Sequence, residues 1–484
     1  MVSNKKVIKS GFWYVFANFL NKGIVFLTTP IFTRLLTKGE FGLFNNFLSW
    51  ESILLIIVTL NLESTLIRAK FDYKKHFDSY ILSMIVLSWV NTLIWYLIIN
   101  FNSAFFINLF GVEKTAFSAG GCTLCIQSML NLVSQNGKKI ICGRTIHKSA
   151  INTMALLGLE PIWIIPHKDA GNFLPGRIQS EDVKKALENN EDISAVYITS
   201  PDYFGVISDI KSISKECNKF NVPLIVDNAH GSHLMFLKEN LHPIKLGASM
   251  TACSGHKTLP ILTGGAWLNI NDKRFINDVK GAMALFGSTS PSYPIMASLD
   301  LCRLWLEKEG KESFEKLREK VDKIKQLILD KGMQIPSGVC DPVRVSFSPL
   351  NIGITGIEMA EILRNSGIEP EYANYAYIVL IATPFNKDED FKRLEKAIVN
   401  LKKGQPLVVK EYTSFLPKPK FSPRNAILSR SKTVRIKDAL GQVAAETLCP
   451  CPPGIPIIMP GEIIDRKCIE LLLNYSYSFI KVVL

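Results

Sequence analysis

The feature that most constrains this chain is an alternation of short apolar runs with amphipathic stretches, beginning near Thr115 and continuing to Asp227. The runs at 139–142, 161–165, 195–199 and 222–226 are apolar and bounded by polar or turn residues, so each reads as a buried strand. Between them, 147–157, 180–188 and 209–219 read as helices. Ser180 precedes acidic residues and reads as the cap of its helix. Pro223 falls at the second position of its run, where a strand start tolerates it. This alternation predicts an α/β fold, with a mainly parallel sheet between two layers of helices. Ligands in such sheets sit at the carboxyl ends of the strands, where residues 199–203 and 227–230 fall. A long charged helix is predicted at 307–329, and a smaller terminal domain from about 333.

Two segments carry the chemistry. Val226-Asp227-Asn228-Ala229-His230-Gly231 ends an apolar strand in a carboxylate. Cys253-Ser254-Gly255-His256-Lys257-Thr258-Leu259-Pro260 sets a lysine beside a hydroxyl and an imidazole, between apolar segments. A lysine that captures an aldehyde as a Schiff base, with an aspartate that keeps a pyridine nitrogen protonated, is what a pyridoxal-phosphate enzyme of the aspartate-aminotransferase type needs. Ser254 and His256 are placed to hold the phosphate. Gly120-Gly121-Cys122-Thr123 precedes an apolar helix, whose free N–H groups and partial positive charge suit a phosphate as well. Glycines at a helix start also serve as plain caps. His147, in Arg144-Thr145-Ile146-His147-Lys148-Ser149, reads either as a ring stacked on the cofactor or as a surface residue. Asp227 reads as the cofactor partner rather than a helix cap, because Ala229-His230-Gly231 leaves room for a ring. Of His230 and His233, one is expected near the ring and the other in a structural role. Cys122 and Cys125 form an isolated C-x-x-C with no second pair and no spaced histidine, so no metal site is expected.

The first ~110 residues differ in kind. Windows at 11–32, 41–62 and 80–101 are each long and apolar enough to cross a bilayer as a helix. Asn18, Asn21, Lys22, Asn45, Asn46 and Glu51 interrupt the first two, as expected of polar groups facing a bundle interior. Lys5, Lys6 and Lys9 precede the first window, and Arg68, Lys70, Lys74 and Lys75 follow the second, which places both on the cytoplasmic side. No cleavable signal peptide is expected. The ten cysteines show no disulfide framework, so a reducing, cytoplasmic-type environment suits the globular part. The formal charge of +13 is spread over the chain, without the arginine–aromatic stripes or zinc-finger spacing of nucleic-acid binders.

Two resemblances follow. Thr29-Pro30-Ile31-Phe32-Thr33-Arg34-Leu35-Leu36-Thr37, Glu40-Phe41-Gly42-Leu43-Phe44 and Asn61-Leu62-Glu63-Ser64-Thr65 resemble the start of a polysaccharide or lipid-linked oligosaccharide flippase. Three helices cannot enclose a transport cavity, so no transport by this chain alone is expected. From about Phe110 the chain resembles the Orn/Lys/Arg decarboxylase family of fold-type-I pyridoxal-phosphate enzymes. The matches include Phe110-Gly111-Val112-Glu113-Lys114-Thr115, Gly121-Cys122-Thr123, His147-Lys148-Ser149, Thr199-Ser200-Pro201-Asp202-Tyr203 and Asp227-Asn228-Ala229-His230-Gly231. Ser254-Gly255-His256-Lys257, Ser288-Thr289-Ser290-Pro291, Pro452-Pro453-Gly454 and Pro460-Gly461-Glu462 complete the set.

The resemblance implies an aspartate-aminotransferase-type large domain at 111–332 and a small C-terminal α+β domain at 333–484, behind a transmembrane fragment at 1–110. It implies PLP-dependent decarboxylation of lysine, arginine or ornithine by a homodimer or higher homo-oligomer. Lys257 would hold the cofactor and return the proton, with His256 as the other proton donor. Asp227 would pair with the pyridinium, and His147 would stack on the ring. Gly121, Cys122, Thr123, Ser254 and His256 would bind phosphate, with His230 close by. Ser288 or Thr289 would reach across a dimer interface. Glu369 and Glu371 would lie near the substrate's distal cation. The family carries Ser at the position of Cys122, Glu at that of Asn228, and an N-terminal stretch with a Pro-Gly-His-Lys segment where the flippase-like sequence stands. Three crossings from an inside N-terminus would leave the enzyme outside. Either the third window does not cross, or 105–109 re-enters, or two reading frames are joined, the alternative favoured here. The competing functions are an inactive membrane-anchored fusion and an aminotransferase or lyase on the same fold.

Overall fold

The computed structural model describes residues 78–87, 90, 111–171, 174–408, 416–449 and 456–484. The predicted apolar runs become the middle of a seven-stranded sheet. Its strands are β1 (Lys114–Ser118), β2 (Lys139–Gly143), β3 (Glu160–Ile164), β4 (Ile193–Thr199), β5 (Leu224–Asp227), β6 (Met250–Ser254) and β7 (Ala266–Ile270). They lie in the order β1-β7-β6-β5-β4-β2-β3. β6, β5, β4, β2 and β3 run parallel, and β7 is antiparallel to both of its neighbours.

Side-chain alternation along the strands builds a core on each face. Ile140, Cys142, Ala195, Tyr197 and Ile225 pack with α1 (Gly121–Val133) and α2 (Lys148–Leu157). Ile141, Val196, Ile198 and Val226 pack with α3 (Ser180–Glu188) and α4 (Ile210–Lys219). The strands therefore read as continuous apolar runs, since both faces are covered.

Several boundaries differ from expectation, each for a local reason. Ser180 is the first residue of α3, not its cap: Gln179 holds that place, and Ser180 Oγ donates to Glu181 instead. Asp209 caps α4 by accepting the Ser212 N–H at 3.0 Å. Pro223 lies before β5, where its carbonyl accepts the Val196 N–H at 3.0 Å. After α5 (Val279–Phe286), the helix predicted at 307–329 is found as α7 (Lys311–Asp330), entered through a widened turn at Leu306–Gly310 that continues α6 (Tyr293–Trp305).

Beyond α7 come β8 (Arg344–Phe347), α8 (Gly356–Asn365), β9 (Tyr372–Ala373), β10 (Ile378–Ile381) and α9 (Asp388–Val399). The three strands form an antiparallel sheet ordered β8-β10-β9. Its core is continuous with Phe314, Leu317, Val321 and Ile324 of α7. A second apolar cluster gathers Ile436, Ile458, Ile464, Cys468, Leu472 and Ile480 around β11 (Ser431–Arg435) and β12 (Phe479–Val483). Residues of the expected terminal domain at 333–484 thus divide among separate apolar clusters, a further one joining Leu350, Tyr372, Tyr377 and Val379 to Phe204 and Val206.

The windows at 11–32 and 41–62, the 105–109 stretch and Pro452-Pro453-Gly454 lie outside the described residues. So does most of the third window, of which 80–87 and 90 are described as helical. Among the described residues, no helix is long and apolar enough to cross a membrane.

One ion pair joins the last cluster to the sheet. Arg144, just past β2, donates from both Nη atoms to Glu462 at 2.6 and 2.8 Å. Both residues are buried, and Glu462 also accepts the Met459 N–H. Removing one member of such a pair strands the other charge. Glu462→Ala is expected to destabilise the protein by about 3–5 kcal/mol, read as a lower denaturant midpoint at unchanged slope.

Candidate active site

The parallel strands end level with one another, and their register decides which residues meet. Thr199 at the end of β4 pairs with Asp227 at the end of β5, and Asp227 pairs with Ala252 of β6, two residues before Ser254. A cavity of about 260 Å³ opens there. Gly121, Cys122, Thr123, His147, Asp227, His230, Ser254, His256 and Lys257 all line it, so the structure brings together every cofactor residue expected from sequence. 

Asp227 is 2% exposed. Its Oδ2 accepts from the Tyr197 hydroxyl at 3.1 Å, and its Oδ1 accepts the Ala229 N–H at 3.1 Å. Burial, and then Asp227 itself, push the Tyr197 phenol up, so it remains a donor. Lys257 follows β6 in a short 3-10 turn, Gly255–Lys257. Its Nζ lies 2.9 Å from His230 Nε2. Burial, then Lys257 and Arg344, hold the His230 imidazole well below its usual range, so it is neutral. Arg344 Nη2 approaches His230 Nδ1 at 3.4 Å. A neutral imidazole accepts at one ring nitrogen alone, and the shorter of the two contacts is the one between Nε2 and Lys257. Of the two histidines left open, His230 is therefore the site residue. His233 pairs with buried Asp341 at 2.9 Å and stacks on Phe314.

The phosphate end is built from two turns. Gly121, at φ +74°, uses its own N–H on the Gly264 carbonyl, which leaves the first-turn N–H groups of α1 around Cys122 and Thr123. Ser254 Oγ and His256 Nδ1 lie 3.3 Å apart across from them. Burial raises the Cys122 thiol, so it is a neutral wall rather than a charged ligand. His147 heads α2, with Nδ1 2.7 Å from Ser149 Oγ.

Some expectations are redirected. Gly231 does not make room for a cofactor ring: a side chain there would collide with Asn228 Oδ1 at 2.2 Å and Pro201 at 2.5 Å, so it serves loop packing. Asn228 is fully buried and donates to His242 Nε2 at 2.9 Å, outside the cavity lining. Glu369 is not in the site: its carboxylate is exposed and pairs with Arg364 at 3.0 Å. Glu371 reaches the cavity wall indirectly, by accepting from the Tyr203 hydroxyl at 2.9 Å. Ser288 and Thr289, expected to reach across a dimer interface, are exposed and lie outside this chain's own cavity lining, which is compatible with that expectation. Tyr197 and Arg344 were missed. Period-two counting back from Thr199 would have found Tyr197; no local signal marks Arg344, 114 residues from its histidine.

The residues present fit pyridoxal phosphate. The cavity offers a lysine amine, a carboxylate with spare acceptor capacity, a helix start for phosphate, and the buried unpartnered Thr199 Oγ1 and Asp202 Oδ2. Comparison with known proteins agrees. Residues 99–344 match the Orn/Lys/Arg decarboxylase major domain, 406–480 match its C-terminal domain, and 7–118 match a polysaccharide biosynthesis protein family. An arginine decarboxylase of Bacillus subtilis is 33% identical over 76% of this chain and 78% of its own. An arginine decarboxylase of Halalkalibacterium halodurans is 32% identical over 74% of this chain and 77% of its own. The fold resembles a lysine decarboxylase of Francisella novicida, with a TM-score of 0.67 at 16% identity, over 79% of this chain and 71% of that one.

Lys257→Ala is expected to abolish the red-shifted absorption band of lysine-bound pyridoxal phosphate and its fixation by borohydride. An unchanged band in the purified variant would show that another group holds the cofactor.

Proposed function

Because the chain belongs to the Orn/Lys/Arg decarboxylase family, we propose that it releases the α-carboxylate of a basic amino acid as CO2, with arginine as the preferred substrate. The chain is a pyridoxal-phosphate-dependent amino-acid decarboxylase. The observation that carries the reading is the meeting of Lys257, neutral His230 and the Tyr197-backed Asp227 in one cavity. Arginine is put first because relatives that are about one third identical are named arginine decarboxylases.

Bound pyridoxal phosphate supplies an electron-withdrawing ring that takes up the pair left on Cα when CO2 departs. The protein's own groups do the rest. Asp227, kept in place by Tyr197 and the Ala229 N–H, would hold the ring nitrogen protonated. Ser254, His256 and the start of α1, which line the cavity, would anchor the phosphate, and His147 would lie against the ring. His230 Nε2, 2.9 Å from Lys257 Nζ, would position the lysine that holds the cofactor and returns the proton to Cα; His256 is the other candidate donor. 

A homodimer or higher homo-oligomer is supported by the exposed apolar side chains Leu285, Tyr293 and Leu301 on α5 and α6. Membrane attachment through residues 11–101, with a cytoplasmic-type enzyme domain, is part of the proposal and rests on the apolar windows of the sequence.

Purified protein given arginine, lysine and ornithine separately is expected to evolve CO2 with agmatine from arginine, and less from the others. Keto acid without CO2 would replace this reading with transamination. A normal cofactor spectrum without turnover of any of the three would support an inactive fusion.

A further inference from the structure

One acid in the cavity wall has half of its hydrogen-bonding capacity unused. Asp202 follows the cis Ser200–Pro201 bond at the end of β4 and is 6% exposed. Its Oδ1 accepts the N–H of Phe204 at 2.9 Å and of Val206 at 2.8 Å. Its Oδ2 is buried, belongs to a residue lining the cavity, and has no hydrogen-bond partner among the described residues. The loop is held in this shape from behind. Gly205 takes φ +90°, and a side chain there would meet Arg344 Cγ at 2.9 Å.

Of the nearby protein cations, Lys257 Nζ meets His230, and Arg344 on β8 points Nη2 at His230 and sets Nε 3.9 Å from Asp341; Arg344 Nη1, like Asp202 Oδ2, has no hydrogen-bond partner among the described residues. A buried acceptor left this way in a cavity wall is open to a donor that enters the cavity. Ammonium and guanidinium groups carry donors alone, and they form the stronger, charge-assisted bonds with a carboxylate. A second acid flanks the same wall, since Glu371 holds the Tyr203 hydroxyl beside Asp202.

We propose that Asp202 Oδ2 seats the cation that a basic amino acid carries at the end remote from its reacting amine, which makes Asp202 a specificity-determining residue. The inference rests on the reading of the cavity as a site for basic amino acids. It carries a pH signature. Burial pushes the Asp202 carboxyl up to about 7, against the Val206 and Phe204 N–H groups and Arg344. The other titratable groups lining the cavity are Cys122, His147, Tyr203, Asp227, His230, His256 and Lys257. A distal cation favours the ionised form, so its binding strengthens as pH rises through about 7 and expels a proton below it.

The test compares 1,5-diaminopentane with n-hexylamine, which has equal length but no second charge, on the holoprotein. Dissociation constants come from calorimetry or the bound cofactor's absorption. The ratio of the two constants cancels whatever pH does to the reacting amine. In the wild-type protein that ratio is expected to move about 10-fold in favour of the diamine between about pH 6 and pH 8. Asp202→Asn keeps an oxygen for the two loop N–H groups. It is expected to flatten the ratio and weaken the diamine about 10- to 100-fold at about pH 8, with hexylamine unchanged. A flat wild-type ratio overturns the proposal without any variant. Equal loss of both amines in Asp202→Asn also overturns it, by assigning Asp202 to the reacting end. If the wild-type protein binds hexylamine but no diamine, the basic-substrate reading falls, and the proposal falls with it.

Discussion

The site depends on the parallel register of β4, β5 and β6. Thr199 is level with Asp227, and Asp227 with Ala252. A slip of one residue would turn Asp227 from the Tyr197 side of the sheet to the other face, since side chains alternate along a strand. The register is fixed by apolar cores on both sides, with Tyr197 and Ile225 facing one and Val196 and Val226 the other. The force that builds the sheet thus also aims the carboxylate.

Around that carboxylate the charges are arranged so that few are left to chance. His230 is neutral because it is buried beside Lys257 and Arg344. Lys257 and Arg344 meet its two ring nitrogens, Nε2 and Nδ1. Asp341 is buried, which disfavours its charge, yet the adjacent His233 and Arg344 bring its carboxyl down to about 2. It supplies the negative partner that Arg344 and His233 need. The acid, the base and the lysine belong to one network that runs from β8 to the end of β6.

The site was largely legible, and the reason is local. Lys257, His256, Ser254, Asp227 and the Gly121–Thr123 turn each lie where a strand ends or a helix begins, and such places can be found from hydrophobic period and turn residues. Less legible were partners from distant segments. Glu462 meets Arg144 across 318 positions, and Arg344 meets His230 across 114. Glu369 and Glu371 are two residues apart, yet one lies on the surface with Arg364 and the other holds Tyr203.

The sequence alone determined the α/β alternation, the identity of the lysine and aspartate, and the family, because these depend on residue type and on spacing within one strand or helix. Only the tertiary structure decided that His230 rather than His233 serves the lysine, that Gly231 makes room for Pro201 rather than for a ring, and that Asp202 keeps one oxygen free. Each of those outcomes turns on which distant chain fills the neighbouring space, and chain spacing carries no record of that.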